Sequence, residues 1–362
     1  LYGSQSGVTL PSTLANTELK PERMRSYEIG TDFRMFDNRL GLDFTYYNTL
    51  NSNQIVQIPI SSTSGYSSRF INAGKIRNYG FEATLTYTPV QTKSGFQWDG
   101  SINFSRNMSR VEEISDEYDQ YVYSYAAIYA DEDARVYAIA KEGEPMGNLY
   151  GTGLSHTEDR QLIVDATGLP VADPTLVKLG NYNPDFIMGF YNKFSYKGFS
   201  LDFLVDWHQG GVFVSRTFGM GMESGVLKDT EYRVQEGMVI DGVVWDDATN
   251  TYIKNTTPVS PRDYYRNLYR RYHETQCTFS ATYVKLREVK LGYQFPSKWF
   301  TKTPIKRLGL SLVARNLFMW TKDQNYVDPE SIAYEGGTTT PGVEEMAYPA
   351  TRSIGFNVNV VF

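Results

Sequence analysis

The segment Arg262–Glu274 (RDYYRNLYRRYHE) has a composition suited to ligand binding. Tyrosine rings stack on sugar faces and on cations, and arginine pairs with carboxylates. The same mixture suits single-stranded nucleic acid, but the net charge of −6 argues against that ligand. A structural alternative is a short amphipathic helix or loop packed on a partner protein or on neighbouring loops, because Tyr265, Leu268 and Tyr272 share one helical face. The candidates for a substrate or partner loop are Trp245, Arg262, Tyr264, Tyr265, Arg266 and Tyr269.

Other residues with potential chemistry are scattered. Two acidic runs, Asp116–Asp119 and Asp131–Asp133, offer oxygen ligands for a hard cation such as calcium, but lack the glycine and ligand spacing of an EF-hand. A solvated charged loop is the simpler interpretation. The histidines His156, His208 and His273 show neither metal-ligand spacing nor a nucleophile elbow nearby. We therefore predict no catalytic residue, no metal site built on histidine and no other cofactor.

The carboxy-terminal stretch Arg352–Phe362 alternates strictly between two kinds of residue. Its even positions from Ile354 to Phe362 are all apolar, whereas its odd positions are small or polar, with Val361 the exception. Successive side chains on a strand point to opposite faces, so this segment is a strand with one apolar and one polar face. Phe362 ends either an ordinary edge strand of a soluble sheet or a terminal barrel strand read by an assembly machinery, and we favour the second.

The same alternation recurs along the chain in runs of roughly nine to eleven residues, the length of a tilted bilayer-crossing strand. Aromatic residues lie at the ends of many runs, as in an interfacial girdle. One run changes phase near Arg287–Glu288, which indicates either a β-bulge there or passage of the strand out of the membrane zone. The polar face would line the lumen of the barrel. Charged residues there either select what passes through the lumen, or they are solvated residues of the wall, or they contact a plug. Its candidates are Glu82, Asp99, Asp202 and Asp206.

The connections between runs differ sharply in length. Residues 37–39 and 197–198 are short turns, whereas 112–134, 219–275 and 321–348 are long. Short turns at one side and long loops at the other are typical of an outer-membrane barrel. A soluble sandwich would keep most connections to a few residues.

The fold prediction is an all-β, antiparallel transmembrane barrel with long extracellular loops. Bacterial barrels have even strand numbers, and the count here is odd, so we expect the carboxy-terminal part of a larger barrel. Leu1 is neither a methionine nor part of a signal peptide, which agrees with that expectation. The eleven predicted strands lie near 23–36, 40–57, 69–88, 95–111, 135–154, 158–166, 182–196, 199–218, 277–295, 305–320 and 349–362.

Composition supports a β-rich protein. The chain has 362 residues, of which 15% are aromatic, with 28 tyrosines and 20 phenylalanines, residue types that favour strands and interfaces. The mean hydropathy is −0.41, and no apolar run approaches the length of a spanning helix. Cys277 is the only cysteine, which excludes an internal disulfide and a thiolate metal site.

Several stretches, in matching order along nearly the whole chain, resemble the SusC/RagA family of TonB-dependent outer-membrane transporters from Bacteroidetes. Each stretch alone is a modest signal, and the ordered set is strong. They are LKPE (19–22) with YEIGTDFRMFDNRLGLDFTYYN, NAGKIRNYGFE (72–82), LGNYNPDF (179–186) with FSYKGFSLDFLVDWHQGG, YVKLREVKLGYQF (283–295), RNL (315–317), DPE (328–330) and the closing YPATRSIGFNVNVVF.

The resemblance implies a 22-stranded barrel of which residues 1–362 supply the second half, with the plug domain outside this chain. It implies a SusD-like surface lipoprotein as partner, TonB-ExbB-ExbD acting through the missing amino-terminal part, the remaining half of the barrel, and the lipid bilayer of a Gram-negative outer membrane. The expected cargo is an oligomeric glycan or a peptide, and the expected role is transport rather than covalent chemistry. A pair of barrels, each with its lipoprotein, is also implied.

Two other functions compete with import. A passive porin or adhesin-like barrel would have no plug and no energy coupling. A soluble β carbohydrate-binding protein or glycosidase would extract without detergent, and a glycosidase would need two carboxylates roughly 5–10 Å apart in a cleft. No sequence pattern names such a pair.

Overall fold

The computed structural model describes residues 11–115, 118–127, 135–231, 236–270, 274–323, 326–330 and 341–362. Within these residues, nine long strands form one continuous antiparallel sheet, here called the wall, in the order β2-β3-β4-β5-β11-β12-β19-β20-β22. The short strand β1 adds to it in parallel beside β4. The remaining strands form four small sheets in the long connections, and these with their helices are here called the loop layer.

The elements follow in chain order. The strands are β1 (Thr13–Leu14), β2 (Arg23–Met35), β3 (Leu40–Pro59), β4 (Ser68–Gln91), β5 (Gln97–Glu113), β6 (Gln120–Ala127), β7 (Arg135–Lys141), β8 (Asn148–Leu154), β9 (Ile163–Val164), β10 (Ala172–Asn181), β11 (Phe186–Tyr196), β12 (Phe199–Gln209), β13 (Val212–Ser215), β14 (Met238–Val239), β15 (Val243–Asp246), β16 (Thr251–Lys254), β17 (Pro258–Val259), β18 (Thr278–Ser280), β19 (Tyr283–Gln294), β20 (Arg307–Thr321), β21 (Val343–Glu344) and β22 (Ser353–Val361). The α-helices are α1 (Arg216–Ser224) and α2 (Pro261–Arg270), and 3₁₀ turns cover Ser62–Ser64, Lys228–Thr230, Glu274–Cys277 and Ser297–Trp299.

Strand register sorts the side chains of the wall onto two faces. One register row on the apolar face runs across eight strands and contains Phe33, Leu42, Leu85, Ile102, Phe190, Val205, Leu286 and Phe318. This face is open to the surroundings: Phe356 is 77% exposed, Ile354 74% and Leu312 54%. The opposite face carries charged and small polar residues. The wall therefore has the one-sided apolar surface of a lipid-facing barrel wall.

Aromatic rings form two chains across the apolar face, as a girdle requires. Towards the long loops, Phe44, Phe81, Phe104, Phe186 and Trp207 follow one another at ring-centroid distances of 6.2, 5.4, 5.4 and 5.0 Å. Towards the short turns, a second chain contains Tyr87, Trp98, Phe194 and Phe203. Cross-strand aromatic pairs stabilise a sheet by about 0.2–1 kcal/mol each, so both chains also fix the register.

Of the two explanations for the phase change near Arg287–Glu288, the structure shows the bulge. On one side Leu204 pairs with Glu288 and Val205 with Leu286, so Arg287 has no opposite residue; the pairing with β20 shifts at the same place. The extra residue lets Leu286 and Val289 share the apolar face although their numbers differ in parity.

Tight turns close the wall at one end. In the turn after β2, Phe36, Asp37 and Asn38 have φ of 55°, 55° and 64°. Between β11 and β12, Lys197 and Gly198 have φ of 46° and 91°, the two positive values of a type I′ hairpin turn. The long connections 114–185, 210–282 and 322–352 all lie at the other end.

The prediction of eleven wall strands was wrong in number. Segment 135–154 is two strands, β7 and β8, that pair with each other in a loop-layer sheet, and 158–166 contributes only β9. Glu142–Gly147 turns the chain between β7 and β8, and each has seven residues, too few to cross a bilayer. Segments 199–218 and 277–295 are also divided: Gly210 and Gly211, with φ of 78° and 79°, end β12, and the wall strand β19 starts only at Tyr283.

The loop layer contains the most deeply buried hydrophobic clusters described in this chain. One cluster joins all three long connections: Val136 and Leu149 come from the first, Val214 and Phe218 from the second, and Val343 from the third. A second cluster, built on Val111 and Ile114, attaches the ends of β3, β4 and β5 to β6 and β7. A third, around Val164, Ile240 and Val259, holds the hairpin of β15 and β16 in place.

Helix α1 is well capped at both ends. Ser215 accepts a hydrogen bond from the Phe218 amide at 3.0 Å, and Gly225, with φ 71°, ends the helix in the left-handed conformation. Among the helices that the structure describes, none is both long enough and apolar enough to cross a membrane.

Candidate functional site

A row of alternating charges crosses the polar face of the wall. Register places Asp99, Lys193, Asp202 and Lys290 side by side on β5, β11, β12 and β19. Asp202 is 8% exposed and accepts a hydrogen bond from the Tyr191 hydroxyl at 2.7 Å. The row lies along a concave pocket of about 850 Å³ near the short turns, lined by Asp99, Lys193 and Lys290. This charged row gives the polar face a pattern that can pair with polar groups of either sign.

Sequence reasoning named the two acids of this row and missed the two lysines. Each lysine has the parity opposite to that of the neighbouring apolar residues, Phe190 and Phe194 for Lys193 and Val289 and Leu291 for Lys290, and that parity was the available signal. The pocket is also lined by Glu288 and Arg315, which form an ion pair at 2.8 Å.

A second cluster lies closer to the long loops and is built around the bulge residue. Arg287 donates to Asp206 at 2.6 Å and to Glu330 at 2.7 Å. Lys285, whose side chain is 3% exposed, donates to Glu330 at 2.5 Å and to Asp328 at 3.3 Å. Burial alone would raise the pKa of Glu330, but its hydrogen bonds with Arg287 and Lys285 lower that pKa below its ordinary value. These bonds tie residues 328–330 of the third long connection to the polar face of the wall.

Glu82 lies on the same polar face but in neither cluster. It pairs in register with Thr45 and Ser105 and is exposed. The structure thus brings Asp99 and Asp202 into one charged row, puts Asp206 in the bulge cluster, and leaves Glu82 apart from both.

Helix α2 carries most of the arginine–tyrosine segment. Ser260 caps it: its hydroxyl accepts from the Asp263 amide at 3.1 Å and donates to the Asp263 carboxylate at 2.7 Å. The conformation follows from local sequence, because a serine cap followed by proline at the first helical position favours helix initiation.

The tyrosines of α2 face the loop layer. Tyr269 packs edge-on against Phe218 of α1 at 5.7 Å, and the Tyr265 hydroxyl donates to the Asp229 carbonyl at 2.9 Å. Tyr264 packs on the third cluster, and burial raises its pKa. These contacts agree with the alternative of a helix packed on neighbouring loops. Arg262 is exposed and Arg266 is half-buried, while Tyr272 and His273 lie outside the described residues.

Trp245 lies on the β15–β16 hairpin beside a residue that sequence reasoning missed. Its ring meets that of Tyr252 edge-on at 5.1 Å, and the two side chains are 47% and 43% exposed. Thr249 donates to the Asp246 carboxylate at 2.8 Å, and this bond is the main cause that lowers the pKa of Asp246. Only the hairpin register, Trp245 opposite Tyr252, reveals the pair. An exposed aromatic pair offers stacking surface to a sugar or to a peptide side chain.

The proposed calcium ligands cannot be assigned. Asp116, Glu117 and Asp131–Asp133 lie outside the described residues. Among the residues that are described, no group of three or more His, Cys, Asp or Glu side chains is placed to hold a metal ion. His208 stacks on Tyr283 at 5.2 Å, and His156 Nδ1 lies 2.8 Å from the Leu154 carbonyl oxygen. Burial raises the pKa of Cys277 to about 12, so this thiol stays protonated.

Phe362 follows the last paired residue of the wall. Val361 pairs with Arg307, and Phe362 lies one position beyond it with 69% of its surface exposed. Its parity is that of Ile354 and Phe356, so it continues the apolar face. Its role as an assembly signal stays a prediction.

Comparison with known proteins agrees with this architecture. The family described as "TonB dependent receptor-like, beta-barrel" matches residues 1–317. The chain belongs to this family. TonB-dependent receptor P3 of Formosa agariphila is 28% identical over 99% of the chain and 36% of its own length. TonB-dependent receptor SusC of Bacteroides thetaiotaomicron is 23% identical over 96% of the chain and 32% of its own length.

Among solved structures, one titled "Structure of the RagAB peptide transporter" has the same fold. It superimposes with a TM-score of 0.67 at 19% identity, over 95% of this chain and 36% of that one. The chain therefore spans about a third of the length of the relatives it matches. Membership places it in the outer membrane, in a family of transporters and not of enzymes. The resemblance to SusC/RagA proteins is confirmed.

Proposed function

We propose that the protein containing this chain imports oligomeric nutrients across the outer membrane, with energy delivered by TonB-ExbB-ExbD through its amino-terminal part. This chain supplies wall strands and extracellular loops of that device. The cargo is a glycan oligosaccharide or a peptide, held at the loop end before it passes along the polar face.

The observation that carries the proposal is the combination of a lipid-facing wall with a folded loop layer at one end only. Long extracellular loops also occur in passive pores, so the length of the loops alone does not separate the two functions. Here the three long connections share one buried cluster that includes Val136, Val214 and Val343. A rim packed in this way holds its exposed side chains in fixed positions, which suits the binding of a large ligand and a partner.

Two further features support a partner at this rim. A SusD-like surface lipoprotein is the partner we propose, in keeping with the similarity to SusC. The exposed pair Trp245 and Tyr252 lies on a loop-layer hairpin, where an aromatic patch can contact either that lipoprotein or the cargo. Arg262, at the exposed start of α2, is the second candidate for such a contact.

The charged clusters of the polar face are proposed to meet the plug and the passing cargo. The concave pocket along Lys193 and Lys290 lies nearest the short turns, which is the periplasmic end in a barrel of this kind. The bulge cluster around Arg287 lies nearer the loops and holds residues 328–330 against the wall. We propose the first as plug contact and the second as support for the mouth.

Uptake of fluorescent oligosaccharide and peptide libraries by cells that express the full-length protein tests this function. We expect accumulation of one class, abolished by a protonophore or by deletion of TonB, and a lipoprotein of the SusD type in the purified complex by mass spectrometry. Uptake that persists without TonB would make the barrel a passive pore. A Trp245→Ala variant should lower uptake, whereas Leu14→Ala, a change in the short strand β1 outside the proposed site, should not.

A further inference from the structure

Arginines cluster on the lipid side of the wall at its loop end. One register row reads Arg25, Leu50, Arg77 and Arg110 across β2, β3, β4 and β5. Counted on the same face, the second row towards the membrane centre contains Ile29, Tyr46, Phe81 and Arg106. These positions share the parity of Phe33, Leu42, Leu85 and Ile102, so their side chains leave the wall on the apolar face and not on the polar one.

The row of Arg25, Arg77 and Arg110 lies at the edge of the apolar band, and Arg106 lies at the level of the aromatic girdle just inside it. On β2 the apolar face runs from Met35 to Tyr27, about the nine to eleven residues that a tilted strand needs to cross a membrane. Arg25 is the next outward position. On β4 and β5, Tyr79 and Met108 separate the Arg77–Arg110 row from the Phe81–Arg106 row. Arginine just beyond an aromatic girdle lies at the level of lipid headgroups.

The wall has a notch at this place. β11 begins to pair with β5 at Ile187 opposite Ser105, so the last part of β5 has no β11 neighbour. The turns at 143–146 and 181–185 border the gap and leave a pocket of about 400 Å³. Tyr79, Arg106, Met108 and Arg110 line its wall side, and Asp185 lines the opposite side.

The charge of the notch is only partly balanced. Arg77 is engaged by Glu112 at 2.5 Å, and Lys75 by Glu113. Arg106 and Arg110 are exposed, and among the described residues neither guanidinium takes part in a side-chain hydrogen bond or ion pair, although Arg110 lies in the field of Glu112. Asp185 balances one of these two charges at most.

We propose that this notch binds the phosphorylated headgroup of an outer-leaflet glycolipid of the lipid A class. Two guanidinium groups can hold a phosphate by paired hydrogen bonds. Tyr79 offers a ring to the sugar, and Met108 offers an apolar surface where the acyl chains begin. The occupant is a membrane lipid and not a soluble anion, because Tyr79, Arg106, Met108 and Arg110 have the parity of the apolar band, while Asn107 and Ser109 of the opposite parity line the rest of the wall side of the notch.

Native mass spectrometry of the full-length protein in detergent tests the proposal. The probes are synthetic bisphosphorylated lipid A and its dephosphorylated form. We expect the wild type to retain the phosphorylated lipid preferentially, and the double variant Arg106→Gln/Arg110→Gln to bind it roughly 30-fold more weakly, at about 1 kcal/mol per arginine at an anionic surface. Arg160→Gln, a matched charge loss at a loop-layer turn, should bind like the wild type.

Three results would overturn the proposal. They are equal retention of the two lipids, unchanged binding by the double variant, and displacement of the lipid by millimolar inorganic phosphate. If the double variant does not fold, the single variant Arg110→Gln, whose side chain lies beyond the apolar band, serves in its place with an expected loss of about fivefold. Lipid binding is read without transport, so its failure leaves the proposed import function untouched.

Discussion

The wall and the loop layer use the same residue types in opposite ways. In the wall, large apolar side chains point outward, and Phe356 is 77% exposed. In the loop layer, Val136, Val214 and Leu149 are fully buried at 0% exposure. Both regions consist mainly of strands with apolar side chains, so the difference lies in the medium that the apolar face meets. Hydrocarbon covers the apolar face of the wall, whereas the apolar side chains of the loop layer pack against one another.

The two regions also treat charge differently. Between its aromatic girdles the wall carries its charges on the polar face, where the Asp99–Lys290 row and the bulge cluster lie, and arginines reach the apolar side only at the loop end. The loop layer buries single carboxylates with hydrogen-bond partners: Glu344, 1% exposed, accepts from Thr217 at 2.6 Å and from Ser215. This acid lies at the start of α1, where the helix dipole favours negative charge. Such contacts join the second and third long connections into one unit.

The largest expected effect is a cavity in the loop layer. Phe213 is 2% exposed and its ring lies 5.9 Å from that of Phe279. Phe213→Ala should cost about 3–5 kcal/mol, because the transfer free energy of the ring is lost and a cavity is left in its place. Phe356→Ala, at the lipid face, should cost only the transfer part, about 1.5–3 kcal/mol, because lipid fills the space.

Denaturant titration of full-length protein refolded in lipid vesicles measures both costs. Hydrogen exchange should place the damage of Phe213→Ala at residues 210–230, with β12 still protected. Equal costs for the two variants would mean that both rings lie in the same kind of interior.

Loss of the buried cation in the bulge cluster should have a similar effect. Lys285→Met removes the ionic partner of Asp328, whose side chain is 4% exposed. We expect this loss to lower the free energy of unfolding by about 3–5 kcal/mol. Lys290→Met, five residues along the same strand and in the open pocket, should cost no more than about 1 kcal/mol. Protease cleavage at 326–330 in Lys285→Met but not in Lys290→Met would show that Lys285 holds this segment against the wall. Cleavage in Lys290→Met but not in Lys285→Met would contradict that role.

A charge placed on the apolar face separates lipid from water as the contacting medium. Leu312→Lys should cost up to about 2–4 kcal/mol, the cost of a lysine at the bilayer midplane, and less towards the interfaces, whereas Ser311→Lys on the polar face should cost little. Refolding into vesicles and urea titration give both values. Similar costs at 311 and 312 would show that the two faces meet the same surroundings.

The smallest effect concerns Glu274, a loop-layer carboxyl that is 3% exposed and accepts from the Thr152 amide. Burial raises its pKa. The folded protein therefore holds this proton more tightly than the unfolded chain, and the stabilisation present below the unfolded pKa of about 4.3 is lost as the pH rises through the folded pKa.

Glu274→Gln should accordingly stabilise the loop layer at pH 8 and have no such advantage at pH 4. Thermal melts of the two proteins at both pH values measure the difference. If Glu274→Gln stabilised the protein relative to the wild type more at pH 4 than at pH 8, the prediction would be contradicted.

The sequence predicted the parts of the fold that repeat a local pattern. Alternation in Arg352–Phe362 and the phase slip at Arg287–Glu288 both correspond to observed features, because strand parity is a property of neighbours in the chain. Segment 135–154 was misassigned because alternation does not say which medium covers the apolar face. Ala138, Ile139 and Ala140 are all buried, which marks a strand covered on both sides.

The site was harder to predict, for the same reason. Lys193 and Lys290 join Asp99 and Asp202 only through cross-strand register, and Tyr252 meets Trp245 only through a hairpin turn. The ties from Glu330 to Arg287 and Lys285 span long sequence separations. No local pattern encodes such pairs.

The central claim is that hydrocarbon covers the apolar face, and spin labels along β22 test it directly. Single cysteines at positions 354 to 359 of the full-length protein in vesicles can be labelled, because Cys277 is buried and unreactive. We expect labels at 354, 356 and 358 to collide with oxygen dissolved in lipid, and labels at 355, 357 and 359 to collide with a water-soluble nickel chelate. Even-numbered labels shielded from both reagents, as between two packed sheets, would contradict the account.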